Sequence, residues 1–85
     1  MLRLLKKDLE ALNIEVVAIV DIYYNILRLK IYDIVIYQQY DRLCIFFENE
    51  KKIFYKQKYI KAVAYIKILH DKFYKNDWLL FFNFV

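Results

Sequence analysis

Apolar and polar residues follow two different periods along this chain. Between residues 14 and 56, apolar and polar positions largely alternate, which is typical of half-buried β-strands. Before and after that region the apolar residues recur with a period of about 3.6, as in amphipathic helices. The pattern therefore predicts a central sheet with a helix on either side of it in the sequence.

The first predicted helix covers residues 1–13. Its apolar stripe consists of Leu2, Leu5, Leu9 and Leu12. Asn13 follows this stripe and is a residue that often ends helices. Because the helix is short and its charges are mixed, we expect it to pack on the core of the protein rather than lie on a membrane surface.

The predicted strands are residues 14–24, 26–32, 34–38, 42–48 and 51–56. The first strand is apolar on both faces, so we expect it to be central in the sheet. The second strand directs Leu27, Leu29 and Ile31 inward and Arg28 and Lys30 outward. It either ends at residue 32 or continues into the third strand as one long bent strand. The last strand begins with two lysines, which protect a sheet edge from unwanted pairing.

The second predicted helix begins at about Lys58. Its inward arc contains Tyr59, Ala62, Val63, Ile66, Leu69, His70 and Phe73. Its outward arc contains Lys58, Lys61, Tyr65, Ile68, Lys72 and Lys75. The helix should lie across the sheet with the apolar arc inward, which leaves a basic surface facing solvent.

Together these elements predict an α+β fold. A short N-terminal helix and a longer, basic C-terminal helix pack on one four- or five-stranded, mainly antiparallel sheet. At 85 residues the chain has the length of a single domain, residues 1–85.

The composition indicates that part of the apolar surface is covered by a partner. Apolar residues make up 61% of the chain and aromatic residues 20%, which is more than one small core requires. The most apolar segment is the C-terminal one. The residues predicted to form an interface there, with a second copy or with another protein, are Trp78, Leu80, Phe81, Phe82 and Phe84.

The chain lacks Gly, Pro, Ser and Thr, and 45 of its 85 residues are of types with A/T-rich codons. Such coding bias and small size suit an accessory protein of a phage, virus or mobile element, for instance an inhibitor of a host machine. The N-terminal segment is too charged for a signal peptide, and no apolar run is long enough to span a membrane. We therefore expect a cytoplasmic protein without membrane contact.

Charge is divided unequally between the two parts of the chain. Residues 1–50 carry six basic and eight acidic side chains, a net −2, whereas residues 51–85 carry eight lysines and two aspartates, a net +6. This asymmetry indicates an anionic partner such as DNA or RNA. The residues predicted to bind nucleic acid are Lys56, Lys58, Lys61 and Lys72, with Arg42 as a lesser candidate.

Most catalytic chemistries lack their residues here. With no Ser or Thr, Cys44 and His70 are the only side chains that could form a nucleophile–base pair, and both fall in apolar settings. Their separation fits no zinc spacing, and the glycines of phosphate-binding loops are absent. We therefore expect no catalytic residue, no metal and no cofactor.

Two short resemblances bear on function. Asp33, followed by a strand and later by Glu50-Lys51-Lys52, resembles the core of PD-(D/E)xK nucleases, although Tyr32 stands where that family has Pro. The segment from Lys56 to Ala64 resembles the last helix of double-stranded-RNA-binding domains, whose basic start contacts phosphates. The first resemblance implies nuclease activity, and the second implies nucleic-acid binding.

The leading hypothesis from the sequence is a non-enzymatic module that binds another protein or itself as a homo-oligomer. The first alternative is a nucleic-acid-binding domain that uses the basic face of the second helix. A degenerate nuclease core is the next alternative.

Overall fold

A computed structural model describes residues 1–75 and shows two helices packed on one antiparallel sheet. The helices are α1 (Leu2–Ala11) and α2 (Tyr59–His70). The strands are β1 (Val17–Val20), β2 (Ile26–Ile31), β3 (Ile34–Gln39), β4 (Arg42–Phe47) and β5 (Glu50–Tyr55). A 3-10 turn, Lys56–Lys58, precedes α2, and a π-helical turn, Asp71–Lys75, follows it. The predicted α+β class is confirmed, while the predicted interface residues Trp78, Leu80, Phe81, Phe82 and Phe84 lie outside the described residues.

The five strands form a simple meander in which each strand pairs with the next one in the chain. This order puts β5 at one edge, as predicted, and β1 at the other. The prediction of a central first strand was wrong. One face of β1 adjoins the core through Ala18, but the other presents the exposed Val17. Apolar residues on both faces therefore reflect an uncovered apolar face rather than a second covering layer.

The core lies between one face of the sheet and the two helices. Its fully buried side chains include Leu5 and Leu9 of α1, Ala62 and Ile66 of α2, and Leu29, Ile31, Ile36, Leu43 and Ile45 of the sheet. Burying one large aliphatic side chain stabilises the fold by about 1.5–3 kcal/mol. The apolar face of each helix thus holds that helix on the same side of the sheet.

A β-bulge changes the direction of Leu27. Ile19 pairs with Arg28, but the next residue, Val20, pairs with Ile26, so Leu27 is left without a partner. An extra residue of this kind breaks the inward–outward alternation. Leu27 is consequently exposed, and the prediction that it faces the core was wrong. The structure also separates β2 from β3 by a tight turn, so the long bent strand does not form.

The turns are built without glycine. Six residues have a positive φ, a region that normally favours glycine: Asn13, Tyr24, Tyr32, Tyr40, Glu48 and Asn49. In the β4–β5 loop both central residues have positive φ, as a type I′ hairpin requires. In the β1–β2 loop the Asp21 carboxylate accepts hydrogen bonds from the backbone N–H groups of Asn25 and Tyr23 and from the Asn25 side chain. These bonds, chiefly the one from the Asn25 backbone, lower the pKa of Asp21.

Replacing Tyr40 by Gly should stabilise the protein. Tyr40 has a φ of 57° and its side chain is 82% exposed, so the substitution relieves an unfavourable backbone conformation and removes little packing. We expect a gain of up to about 1 kcal/mol in the free energy of unfolding. Urea denaturation measures it, with Asn49→Gly as the control that should gain less because Asn tolerates positive φ. A Tyr40→Gly variant that is less stable than the wild type would contradict this account of the turns.

Helix α2 presents its predicted arc to the core. Ala62, Ile66 and Leu69 are buried, which confirms the 3.6-residue interpretation. Tyr65 was wrongly expected to face outward, because its ring packs against Phe54 of β5 at 5.5 Å between centroids. The two helices are joined by the Tyr59 hydroxyl, which donates a hydrogen bond of 2.6 Å to Asp8. Desolvation and this bond to a carboxylate raise the pKa of Tyr59.

Candidate functional site

Both helices pack on the same face of the sheet, which leaves the opposite face uncovered by any described element. Because side chains alternate along strands and paired residues share a face, the strand pairing identifies the members of this surface. We call it the open face. Its strand residues are Val17, Ile19, Arg28, Lys30, Val35, Tyr37, Gln39, Arg42, Cys44, Phe46, Lys51, Ile53 and Tyr55.

Three aromatic rings lie on the open face. Tyr37 and Phe46, on the neighbouring strands β3 and β4, are stacked at 5.7 Å between centroids with 19° between their planes. Phe46 is 37% exposed and Tyr55, on β5, is 52% exposed. The open face therefore presents aromatic surface to solvent in the middle of the sheet and at one of its edges.

Cations accompany these rings. The Lys51 ammonium lies 5.7 Å from the centre of the Phe46 ring, and the Arg42 guanidinium lies 5.9 Å from the centre of the Tyr55 ring. The Nε of Arg42 is buried and has no hydrogen-bond partner among the described residues. Arg28 and Lys30 add two exposed cations on β2. The open face thus carries four positive charges.

Acidic side chains are missing from the strand positions of the open face, as far as residues 1–75 are concerned. The nearest one in the fold is Glu15, just before β1, which lines a depression with Val17, Lys30 and Tyr32 at the sheet edge. Elsewhere carboxylates balance the cations of α1 and α2, as in the Lys6–Glu10 and Lys67–Asp71 pairs. The positive charge of the open face is uncompensated within the strands that form it.

A shallow groove crosses the middle of the open face. It has a volume of about 520 Å³ and is lined by Leu27, Arg28, Val35, Tyr37 and Phe46. The bulge contributes here, because it turns Leu27 towards the same side as Arg28. The groove therefore joins an apolar floor and two rings to a cation at its rim.

Cys44 and His70 are not brought together. Cys44 is fully buried on the open-face side of β4, between its pairing partners Tyr37 and Ile53. His70 is half-buried on α2, across the sheet, and its Nδ1 lies 3.2 Å from Asp71. The burial expected for Cys44 is confirmed, and the structure offers no Cys–His pair.

The predicted nucleic-acid-binding residues fall into two groups. Lys58 and Lys61 are exposed at the start of α2, on the helical side of the sheet. Lys56 is exposed in the preceding turn, and Lys72 lies beyond α2 with its ammonium 5.2 Å from the Phe73 ring centre. Arg42 alone belongs to the open face. No observation tests whether any of these five contacts nucleic acid, so that assignment stays a prediction.

Sequence reasoning missed most of the open face as a site. The alternation in β2 already directed Arg28 and Lys30 outward, but it did not show which rings lie beside them. That neighbourhood depends on the pairing of β2 with β3, of β3 with β4 and of β4 with β5. Only the combined register brings Tyr37, Phe46 and Tyr55 onto the surface that these cations share.

The residues that resemble a nuclease core lie at one end of the sheet. Asp33 is in the β2–β3 turn, and Glu50 begins β5 after the β4–β5 turn. Within residues 1–75, no group of three or more His, Cys, Asp or Glu side chains is arranged to hold a metal ion. In the same part of the chain, neither helix has the length and apolar character that a membrane span requires.

Comparison with known proteins returned no match: no family model, no curated protein and no solved structure is similar to this chain. Function therefore has to be inferred from the geometry and chemistry of the described residues.

Proposed function

We propose that the protein is a non-enzymatic nucleic-acid-binding module and that the open face of its sheet is the binding surface. The observation that carries this proposal is the combination of four cations with three aromatic rings and no strand carboxylate. Phosphates supply the opposite charge in a regular array, and their neutralisation releases counterions, which is the main source of affinity for nucleic acids.

Charge argues against a second copy of the chain as the partner of this face. Two open faces in contact would place the same four cations opposite each other without a carboxylate to pair with them. Like charges opposed in an interface cost several kcal/mol. The apolar residues of the open face, such as Val17 and Ile53, therefore need a partner that also brings negative charge.

The outer surface of α2 supports a different function. Ile60 and Ile68 are exposed there, with the small exposed Ala64 between them. An apolar stripe at positions i, i+4 and i+8 is the type of surface that packs against another helix. Self-association or binding of another protein through this stripe is the second candidate function, and it leaves the open face free.

Titration of a fluorescently labelled single-stranded oligonucleotide tests the first proposal. We expect binding at low salt that weakens steeply as salt is added, with a slope of log K against log salt near −3 for about four neutralised phosphates. Light scattering with and without the oligonucleotide then tests the second candidate, because self-association raises the mass of the free protein. Absence of binding to any DNA or RNA at low salt would contradict the first proposal.

A further inference from the structure

We infer that the open face binds unpaired strands, with bases stacked on Tyr37, Phe46 and Tyr55. This inference rests on the proposed function and specifies its substrate class. Phosphate contacts alone do not distinguish single strands from duplexes, since both carry the charge that the four cations attract. The rings do distinguish them, because only an unpaired base has a free face to stack on an aromatic side chain.

The shape of the open face also favours a single strand. Five strands spaced by about 4.8 Å make a surface roughly 20 Å wide. The major groove of B-DNA is about 12 Å wide and admits one helix or a two-stranded ribbon. A duplex would therefore touch this broad surface only with its backbone and would leave the exposed Phe46 and Tyr55 rings in water. A single strand can lie along the surface and cover both rings.

Two ring–cation pairs are suited to separate nucleotides. One pair is Phe46 with Lys51, and the other is Tyr55 with Arg42. Along β4, Phe46 and Arg42 are four residues apart, which corresponds to about 13 Å. A stacked strand advances about 3.4 Å per nucleotide. The two pairs therefore hold different nucleotides of one strand, each with a ring for the base and a cation for the adjoining phosphate.

The groove between β2 and β4 extends this arrangement. Its floor is formed by Val35 and the stacked rings of Tyr37 and Phe46, and Arg28 stands at its rim. A base in the groove would contact apolar atoms on its faces and find few groups that read its edges. Stacking of this kind tolerates every base, so we expect weak sequence preference.

Three labelled probes of equal length test the inference: a single-stranded oligothymidylate, a duplex and an abasic deoxyribose-phosphate strand. The protein should bind the first most tightly. Phe46→Leu and Tyr55→Leu should each weaken oligothymidylate binding by roughly 5- to 100-fold and barely change binding of the abasic strand. Tyr23→Leu is the matched control, because Tyr23 is an exposed tyrosine outside the open face and its loss should have no effect. Melting temperatures of the variants verify that they are folded.

The outcomes separate this inference from the proposed function. Equal binding of all three probes, or unchanged oligothymidylate binding by both folded ring variants, would overturn stacking and leave the nucleic-acid-binding proposal standing. Polyglutamate that binds as tightly as oligothymidylate would also overturn it, because an acidic protein would then satisfy the face. Failure of every nucleic-acid probe to bind at low salt would overturn both.

Discussion

Reversing two charges on the open face, with Arg28→Glu and Lys30→Glu combined, should lower nucleic-acid affinity at least 100-fold. Both side chains are exposed on the same face of β2, so the change alters charge with little loss of packing. Each lost phosphate contact reduces the salt slope by about one unit, and each new carboxylate repels the strand. A fluorescence titration at several salt concentrations measures both effects.

The matched control is the pair Lys58→Glu and Lys61→Glu on α2. It produces the same change in net charge but alters the helical side of the sheet. We expect this variant to lose only the weaker, long-range part of the attraction. Equal losses for the two variants would mean that affinity follows net charge alone, and a larger loss for the helix pair would assign the interface to α2.

Leu9→Ala should cost about 3 kcal/mol of unfolding free energy, the largest effect expected from one substitution in α1. Leu9 is fully buried between α1 and the sheet, and removing a buried leucine leaves a cavity as well as losing apolar contact. A chain of this size has a total stability of roughly 4–13 kcal/mol, so such a loss is a large share of it. Urea denaturation followed by circular dichroism measures the change.

Leu12→Ala is the control for this prediction. Leu12 belongs to the same apolar stripe in the sequence, yet it lies at the C-terminal end of α1 and is 38% exposed. Its loss should cost less than about 1 kcal/mol. Similar costs for the two leucines would contradict the described packing of α1.

The sequence sufficed for the fold class because each helix has one clear apolar stripe. Ile66 and Leu69 were predicted to face the core from their spacing alone, and both are buried. The edge position of β5 was also predicted, from its two initial lysines. Periodicity identifies these features because it records which side of an element avoids water.

Long-range pairing was not predictable in the same way. The two apolar faces of β1 look the same in a central strand and in an edge strand beside an uncovered face. The bulge at Leu27 adds one residue to a strand without any glycine or proline to mark it. The open face depends on several strand registers at once, so Arg28, Phe46 and Tyr55 could not be recognised as neighbours.

The most direct test of the open face as the nucleic-acid interface is nuclear magnetic resonance mapping with an unlabelled oligothymidylate titrated into the isotope-labelled protein. Chemical shifts report which backbone and aromatic groups change environment on binding. Our account predicts that the largest changes occur at Arg28, Tyr37, Phe46 and Tyr55, with small changes along α2. Changes concentrated at Lys58 and Lys61, with the rings of the open face unaffected, would contradict it.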